Sequence, residues 1–567
     1  MPHAWGAAQV SRRSQSSMQR AVLSLVMLLG LCGVISAQES TGAKASKFTT
    51  GSSDPLINDI NQFIRQGWED NGVEPSEVAD DAEWIRRVFL DLVGHVPSGK
   101  QVEEFMRDKD DAKRSKLVDT LLADPAYVRN QTTLWTNTLI GRGTPDKTNR
   151  AGLEKFLRES FAKGRPWNEV AYDLIAAEGR FDENGAVNYV LAQLQLNPNS
   201  EEYVVEATAK TARIFLGLQV QCTQCHNHPF NEWKQNQFWE FNSFFRQALR
   251  VDHEKYNPQT GQMDDDYSEL IRRNFEGPVY YETRAGLMLV AYPKYFGTEL
   301  DPGPETNRRL EFARAVTKDD SQKLLAKAMV NRTWGHFFAN GFTRPVDDMG
   351  PHNPASHPEL LDRLTDEFIK SGYDTKKLAS WICNTEAYNL TSRFNGKKNE
   401  IDNPSNGETA LFSHMYVKPM QVEQLYESLL VATSANAAGQ GSYEAAQGKR
   451  EEWLRQFMRI FGADDGEEPS LFSGTIPQAL LMMNGPLVQN AISAEKGSYL
   501  NEVLSSPSYK KDPDRIRALY LAALGRTPTS TEVKNMSGMM SRYPTPLMAY
   551  QDLYWALLNS NEFIVIH

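Results

Sequence analysis

Cysteine is scarce in this sequence, with four in 567 residues at positions 32, 222, 225 and 383. So few thiols exclude a disulfide framework. Charge of positive sign is also short: 61 Lys and Arg stand against 72 Asp and Glu, a net charge of −11. With no basic surplus to neutralise phosphates, a general nucleic-acid binder is excluded and no nucleic-acid partner is expected. Beyond the N-terminal segment no apolar run is long enough to cross a bilayer. Gly-x-Ser-x-Gly and His-Glu-x-x-His are absent, which removes the common serine-hydrolase and zinc-protease signatures.

The N-terminus carries Arg12, Arg13 and Arg20 without an acid, then the apolar run Ala21 to Leu31, then small residues at Ser36-Ala37. That order predicts an export signal over 1–37 and a periplasmic or extracellular location. An uncleaved anchor is the alternative. A flexible Ser/Thr/Gly-rich linker over 38–55 follows. Once Cys32 leaves with the signal, three thiols remain. Cys383, in Leu378-Ala-Ser-Trp381-Ile382-Cys383, reads as a buried apolar residue.

Helical periodicity dominates the rest. Trp84, Ile85, Val88, Phe89 and Leu92 follow one helix face, as do Leu153, Phe156, Leu157 and Phe161 before Gly164 and Pro166. Val170, Leu174 and Ile175 predict another helix, and Tyr203 to Val220 a further one leading to Cys222. Pro278 to Phe296 predicts a β-hairpin turning at Ala285-Gly286. The fold class is mainly α: two helical domains, 56–250 and 306–567, joined by a hairpin-containing linker over 251–305. An internal repeat is also visible. Arg86-x-x-Phe89-Leu90-x-x-x-Gly94-x-x-Pro97-Ser98 and Leu121 to Tyr127 recur as Arg517-x-x-Tyr520-Leu521-x-x-x-Gly525-x-x-Pro528-Thr529 and Leu557 to Phe563.

The sharpest chemical signature is Cys222-Thr-Gln-Cys225-His226, followed by Asn227-His228-Pro229-Phe230. Two thiols one turn apart with an imidazole next in line are what thioether attachment of haem c requires. His226 would be the axial ligand, and His253, Met263 and Met288 are candidates for the opposite side of the iron. Three other readings fit the same residues. Zinc or another transition metal can take Cys222, Cys225 and either His226 or His228. The thiols can form a redox or structural disulfide, or the loop can be plain core.

A second polar cluster spans Asn331 to Leu360. His336, Asp348, Ser356 and His357 are the weak candidates there for acid–base or nucleophilic chemistry. Ser356 also reads as an N-cap before Pro358-Glu359, and Asn331-Arg332 as a pair tying down a loop.

These motifs together resemble a planctomycete-type family that pairs a cytochrome-c-like N-terminal domain with a planctomycete-specific C-terminal domain, both of unknown function. Phe89-Leu-Asp91-Leu-x-Gly94-x-x-Pro97, Leu121 to Tyr127 and Phe215-Leu-Gly217-x-x-x-Gln221-Cys222-x-x-Cys225-His226-Asn-His228 carry the first domain. Asn331-Arg332-x-Trp334, Asp348-x-Gly350, Ser356-His357-Pro358-Glu359-Leu360-Leu361, Thr475-x-Pro477-Gln478-Ala479-Leu480, Asn484 and Leu524-Gly525-Arg526 carry the second. Before Ser356 the chain has only the short stretch Pro351 to Ala355, where the family shows a longer one. The family's activity is unassigned, and the expectation of an exported haem-c protein with a redox or electron-transfer role, and a redox partner or surface component to meet, rests on the Cys222-to-His226 motif and the export signal. A surface interaction scaffold and a metal-dependent hydrolase of polymers remain the alternatives.

Overall fold

The computed structural model describes residues 53–318, 323–461 and 476–567. The export signal expected over 1–37, all but the last three positions of the 38–55 linker, and Thr475 lie outside them. The described residues fall within one compact unit that is mostly helical with small antiparallel sheets.

Local sequence chemistry sets the helix ends. Asp54 accepts the Leu56 amide proton at 3.0 Å and opens the helix Pro55–Asp70, whose Leu56, Ile57, Ile60, Ile64 and Trp68 are buried. Asp80 caps Asp81–Val93, and Gly94, at φ 76°, ends it in the left-handed region that favours glycine. Every residue from Glu83 to Val93 is buried, polar ones included, so this helix is a hub rather than a surface element. The helices expected around Leu153 to Phe161 and around Val170 to Ile175 are present as Arg150–Ala162 and Trp167–Ala176, with Gly164 at φ 62° between them.

The two halves of the internal repeat fold alike. In each, a helix stops at a left-handed glycine (Gly94, Gly525) and a capping box starts the next, Ser98 with Gln101 and Thr529 with Glu532. They also meet each other. Arg517 pairs with Glu103 at 3.2 Å, and Arg86 donates to the carbonyls of Ala523 (3.0 Å) and Phe563 (2.7 Å).

Two apolar clusters form the core. One runs from Leu56 to Tyr416 with Leu521 added; the other runs from Met420 to Ile566 and takes in Leu90 and Val96. The hub helix therefore feeds both.

The hairpin expected within 278–296 is Val279–Glu282 paired with Met288–Ala291, turning with Gly286 at φ 76°. A longer one precedes it, Ala248–Asn257 against Gln262–Arg272, with Gly179–Arg180 at its edge. The sequence hides this pair. Asp252, Glu254, Lys255 and Asp264 to Asp266 put charge on successive residues, and the tip is exposed on both faces, so no apolar alternation develops.

The helix expected over 203–220 stops early. Glu201–Val204 is 3-10, Val205–Thr211 is α and Ala212–Leu216 is a π turn, before Gly217 at φ 67°. A Cβ on Gly217 would lie 2.3 Å from Met349 Cε, so a second segment sits where the helix would have continued.

Candidate functional site

From Gly217 the chain reaches a single 3-10 turn, Gln221–Gln224. Thr223 anchors it: the side chain is fully buried and its hydroxyl donates to Val220 O at 2.5 Å. Because Thr223 points inward, Cys222 and Cys225 on either side of it face solvent, and both are free thiols. Gln235 Nε2 and Trp239 Nε1 donate to Gln224 O, each at 3.1 Å, and hold the turn against the helix Gln235–Phe245.

The two histidines of the motif have different tautomers. His226 Nδ1 lies 2.6 Å from Asn227 O, and a carbonyl only accepts, so Nδ1 carries the proton and Nε2 keeps its lone pair. His228 is the reverse. Its Nδ1 accepts from the Phe230 and Asn231 amides at 3.2 and 3.1 Å, which puts the proton of the neutral ring on Nε2. Burial and the neighbouring His352 ring push His228 below the ordinary histidine range.

His352 reaches this loop from the second half of the chain, with ring centroids 6.0 Å from His228. Its Nε2 is held by Asp348 Oδ1 at 2.9 Å, while its Nδ1 is buried without a hydrogen-bond partner. The turn that carries Asp348 is docked on the segment leading to Cys222. Met349 N donates to Gly217 O at 2.8 Å, and Asp347, itself buried, accepts from Gln219 at 3.1 Å and pairs with Arg213 at 3.5 Å. The Phe215-Leu-Gly217 and Asp348-x-Gly350 motifs, far apart in the sequence, are therefore two sides of one contact. His352 was not among the sequence candidates. Its only signal was a place four residues after Asp348, inside what read as a short loop.

Of the three candidates for the far side of an iron, Met288 is tied to the motif. Gln235, which binds Gln224 O, also donates to Glu282 O at 3.0 Å, and Glu282 is the register partner of Met288. His253 and Met263 lie on the longer hairpin, where His253 stacks on Tyr267 at 4.3 Å and Met263 is exposed. Among the described residues no group of three or more His, Cys, Asp and Glu converges closely enough to hold a metal ion. The zinc or transition-metal alternative through Cys222, Cys225, His226 and His228 thus has no preformed ligand set there.

The second cluster is spread out. Asp348 serves His352 as described. His336 lies on the helix Leu324–Phe338 and its Nε2 donates to Asp91 O at 3.0 Å. His357 is 6% exposed, packs against Phe342 and Phe412, and sits so close to Gly67 that a Cβ there would be 2.6 Å from Nε2. No hydrogen bond joins the three. The N-cap of Pro358–Lys370 is His357 rather than the expected Ser356, whose hydroxyl is 3.0 Å from His357 Nδ1. Asn331 does tie down its loop, bonding Thr343 Oγ1 and Val346 O at 2.8 Å and accepting from Phe342 N at 2.7 Å.

Burial lowers His357 to about 4, from an ordinary 6.5. The unfolded chain therefore binds the proton more readily than the folded one between those values. Its contribution is complete above pH 6.5 and is lost as pH falls toward 4, a loss of about 3 kcal/mol at about 1.4 kcal/mol per unit. Urea unfolding across pH 4 to 7 should show that slope, and His357→Phe should make it shallower, His567, also lowered to about 4, keeping a share of it.

The site so far defines a helical protein with an exposed Cys-x-x-Cys-His turn clasped by a second motif. Two family descriptions match the chain: PSCyt2, "Protein of unknown function (DUF1549)", over residues 59–250, and PSD1, "Protein of unknown function (DUF1553)", over residues 308–540. The chain belongs to the planctomycete-type proteins in which these two domains follow one another. No curated protein and no solved structure matches it. Among the described residues no helix is long and apolar enough to cross a membrane.

Proposed function

We propose that the chain is an exported haem-c-binding protein with a redox or electron-transfer role. The observation that carries this reading is the pair of free, exposed thiols beside an imidazole whose Nδ1 proton is committed to a carbonyl. The donor set fits the group. Cys222 and Cys225 would anchor it as thioethers, and Asn227 O orients His226 with Nε2 available to iron. Apolar surface for a macrocycle lies at hand: Phe230 is 84% exposed, and Met288, Leu289 and Val290 of the short hairpin are also exposed. When bound, haem supplies a one-electron couple close to solvent, where a partner can reach it. Thr223 and Gln235 anchor the turn that carries these residues. The leader expected over 1–37 supports this reading and a periplasmic or extracellular location, because c-type haem is attached outside the cytoplasm.

Expression in a host that matures c-type haem is expected to give a Soret band that survives acid-acetone extraction. Cys222→Ala with Cys225→Ala should abolish that band while far-UV circular dichroism stays helical. His226→Ala should keep the covalent pigment and shift its spectrum. A colourless wild-type chain from such a host overturns the reading.

A further inference from the structure

Away from the cysteine turn, a cleft of about 620 Å³ opens between the helix Pro125–Ile140, the helix Leu324–Phe338 with the loop after it, and the segment around Lys418. That volume lies within the usual range for small-molecule sites. Its charge is unusual for this chain. None of its lining residues is an aspartate or glutamate, although the sequence has 72 of them, while Arg332, Arg344 and Lys418 all line it.

The nearby acids do not cancel this. Asp91, beneath the floor, pairs with Lys418 at 2.8 Å. Asp347 lies 3.8 Å from Arg332 and 3.5 Å from Arg213. Glu423 is taken by Arg142 at 3.0 Å. Arg344, exposed, has a backbone carbonyl, that of Pro404, as its hydrogen-bond partner. A positive surplus therefore faces a concave wall, where a low-dielectric surround strengthens it.

The uncharged lining suits hydroxyl groups. Gln131 and Asn340 contribute amides, which both donate and accept. His336 Nε2 is committed to Asp91 O, which leaves Nδ1 as an acceptor. Burial, and then Lys418, push His336 below its ordinary range, so the ring is neutral at pH 7.

We infer that this cleft binds a small ligand carrying an oxyanion on a hydroxyl-rich frame: an acidic saccharide, with Arg344 and Arg332 facing the anion and the amides and His336 facing hydroxyls. The inference is independent of the haem reading, since no residue of the cysteine turn lines the cleft.

Calorimetric titration of the full chain with digalacturonate, glucose 6-sulfate and neutral maltose tests it. At least one acidic sugar is expected to bind with Kd at or below about 1 mM and at least about tenfold more tightly than maltose. Whichever of the two acidic sugars binds more tightly assigns the anion as carboxylate or sulfate ester. Gln131→Glu, which places an acid in the acid-free wall, and Arg344→Gln should each weaken that sugar about tenfold with melting temperature held. Binding by neither acidic sugar, equal binding of maltose, or unchanged affinity in both folded variants overturns the inference.

Discussion

Arg86→Ala is expected to lower the unfolding free energy by about 3–5 kcal/mol, read as a shift of the urea midpoint. The side chain is 1% exposed and ends among carbonyls: Ala523 O at 3.0 Å, Glu562 O at 3.3 Å and Phe563 O at 2.7 Å. Burial, opposed by Glu562, lowers the guanidinium to about 10, still charged at neutral pH. Truncation leaves three acceptors unpaired in a dry site and opens a cavity between the two halves of the repeat. Arg86→Met separates the two costs, because it fills the space but donates nothing. It should therefore fall between wild type and Arg86→Ala. A loss under about 1 kcal/mol in Arg86→Ala would mean that the carbonyls are satisfied by water, and that the clamp is not structural.

Asp91→Ala should cost a similar amount by a different route. Asp91 is fully buried, accepts from Tyr388 OH at 2.7 Å and pairs with Lys418 at 2.8 Å. Lys418 also donates to the carbonyls of His336 and Phe337, so its ammonium stays in place when the carboxylate goes. An uncompensated buried charge of that kind costs about 3–5 kcal/mol. Asp91→Asn tests the charge alone, since an amide can still accept from Tyr388. Adding Lys418→Met to Asp91→Asn should recover most of the loss, with a coupling of at least about 1 kcal/mol in the double-mutant cycle. Strict additivity of the two substitutions would refute an ion pair acting as a unit.

How much of this was legible depended on whether a feature was local. Helix faces such as Trp84 to Leu92 and the turn at Gly286 are written in neighbouring residues, and they appear where expected. Cys222, Cys225 and His226 were likewise visible, because their spacing is the signal. What stayed hidden lies in pairings across the chain. Asp348 read as a possible acid–base residue, yet its partner is His352 and its turn is docked on Gly217. His357 read as a weak candidate for chemistry, and its burial against Gly67 was not legible at all. Asp91 sat unnoticed in a helix motif because Tyr388 and Lys418 lie about 300 positions later. The cleft depends on residues that do not occur in it, and a sequence motif cannot record an exclusion.

The hub helix has a further consequence, for the order in which the molecule assembles. Arg86 closes on Phe563 O, a separation of 477 residues, and Arg87 on His567 O, a separation of 480. Contacts of such high order repay the entropy of loop closure only late, after the intervening chain has already condensed. The helix Asp81–Val93 emerges early in synthesis, yet Arg87 meets its first carbonyls only at Tyr388 and Leu390, and Arg86 its own only at Ala523, Glu562 and Phe563. The seam between this helix and the C-terminal segment thus stays open until residues 523–567 have condensed onto it.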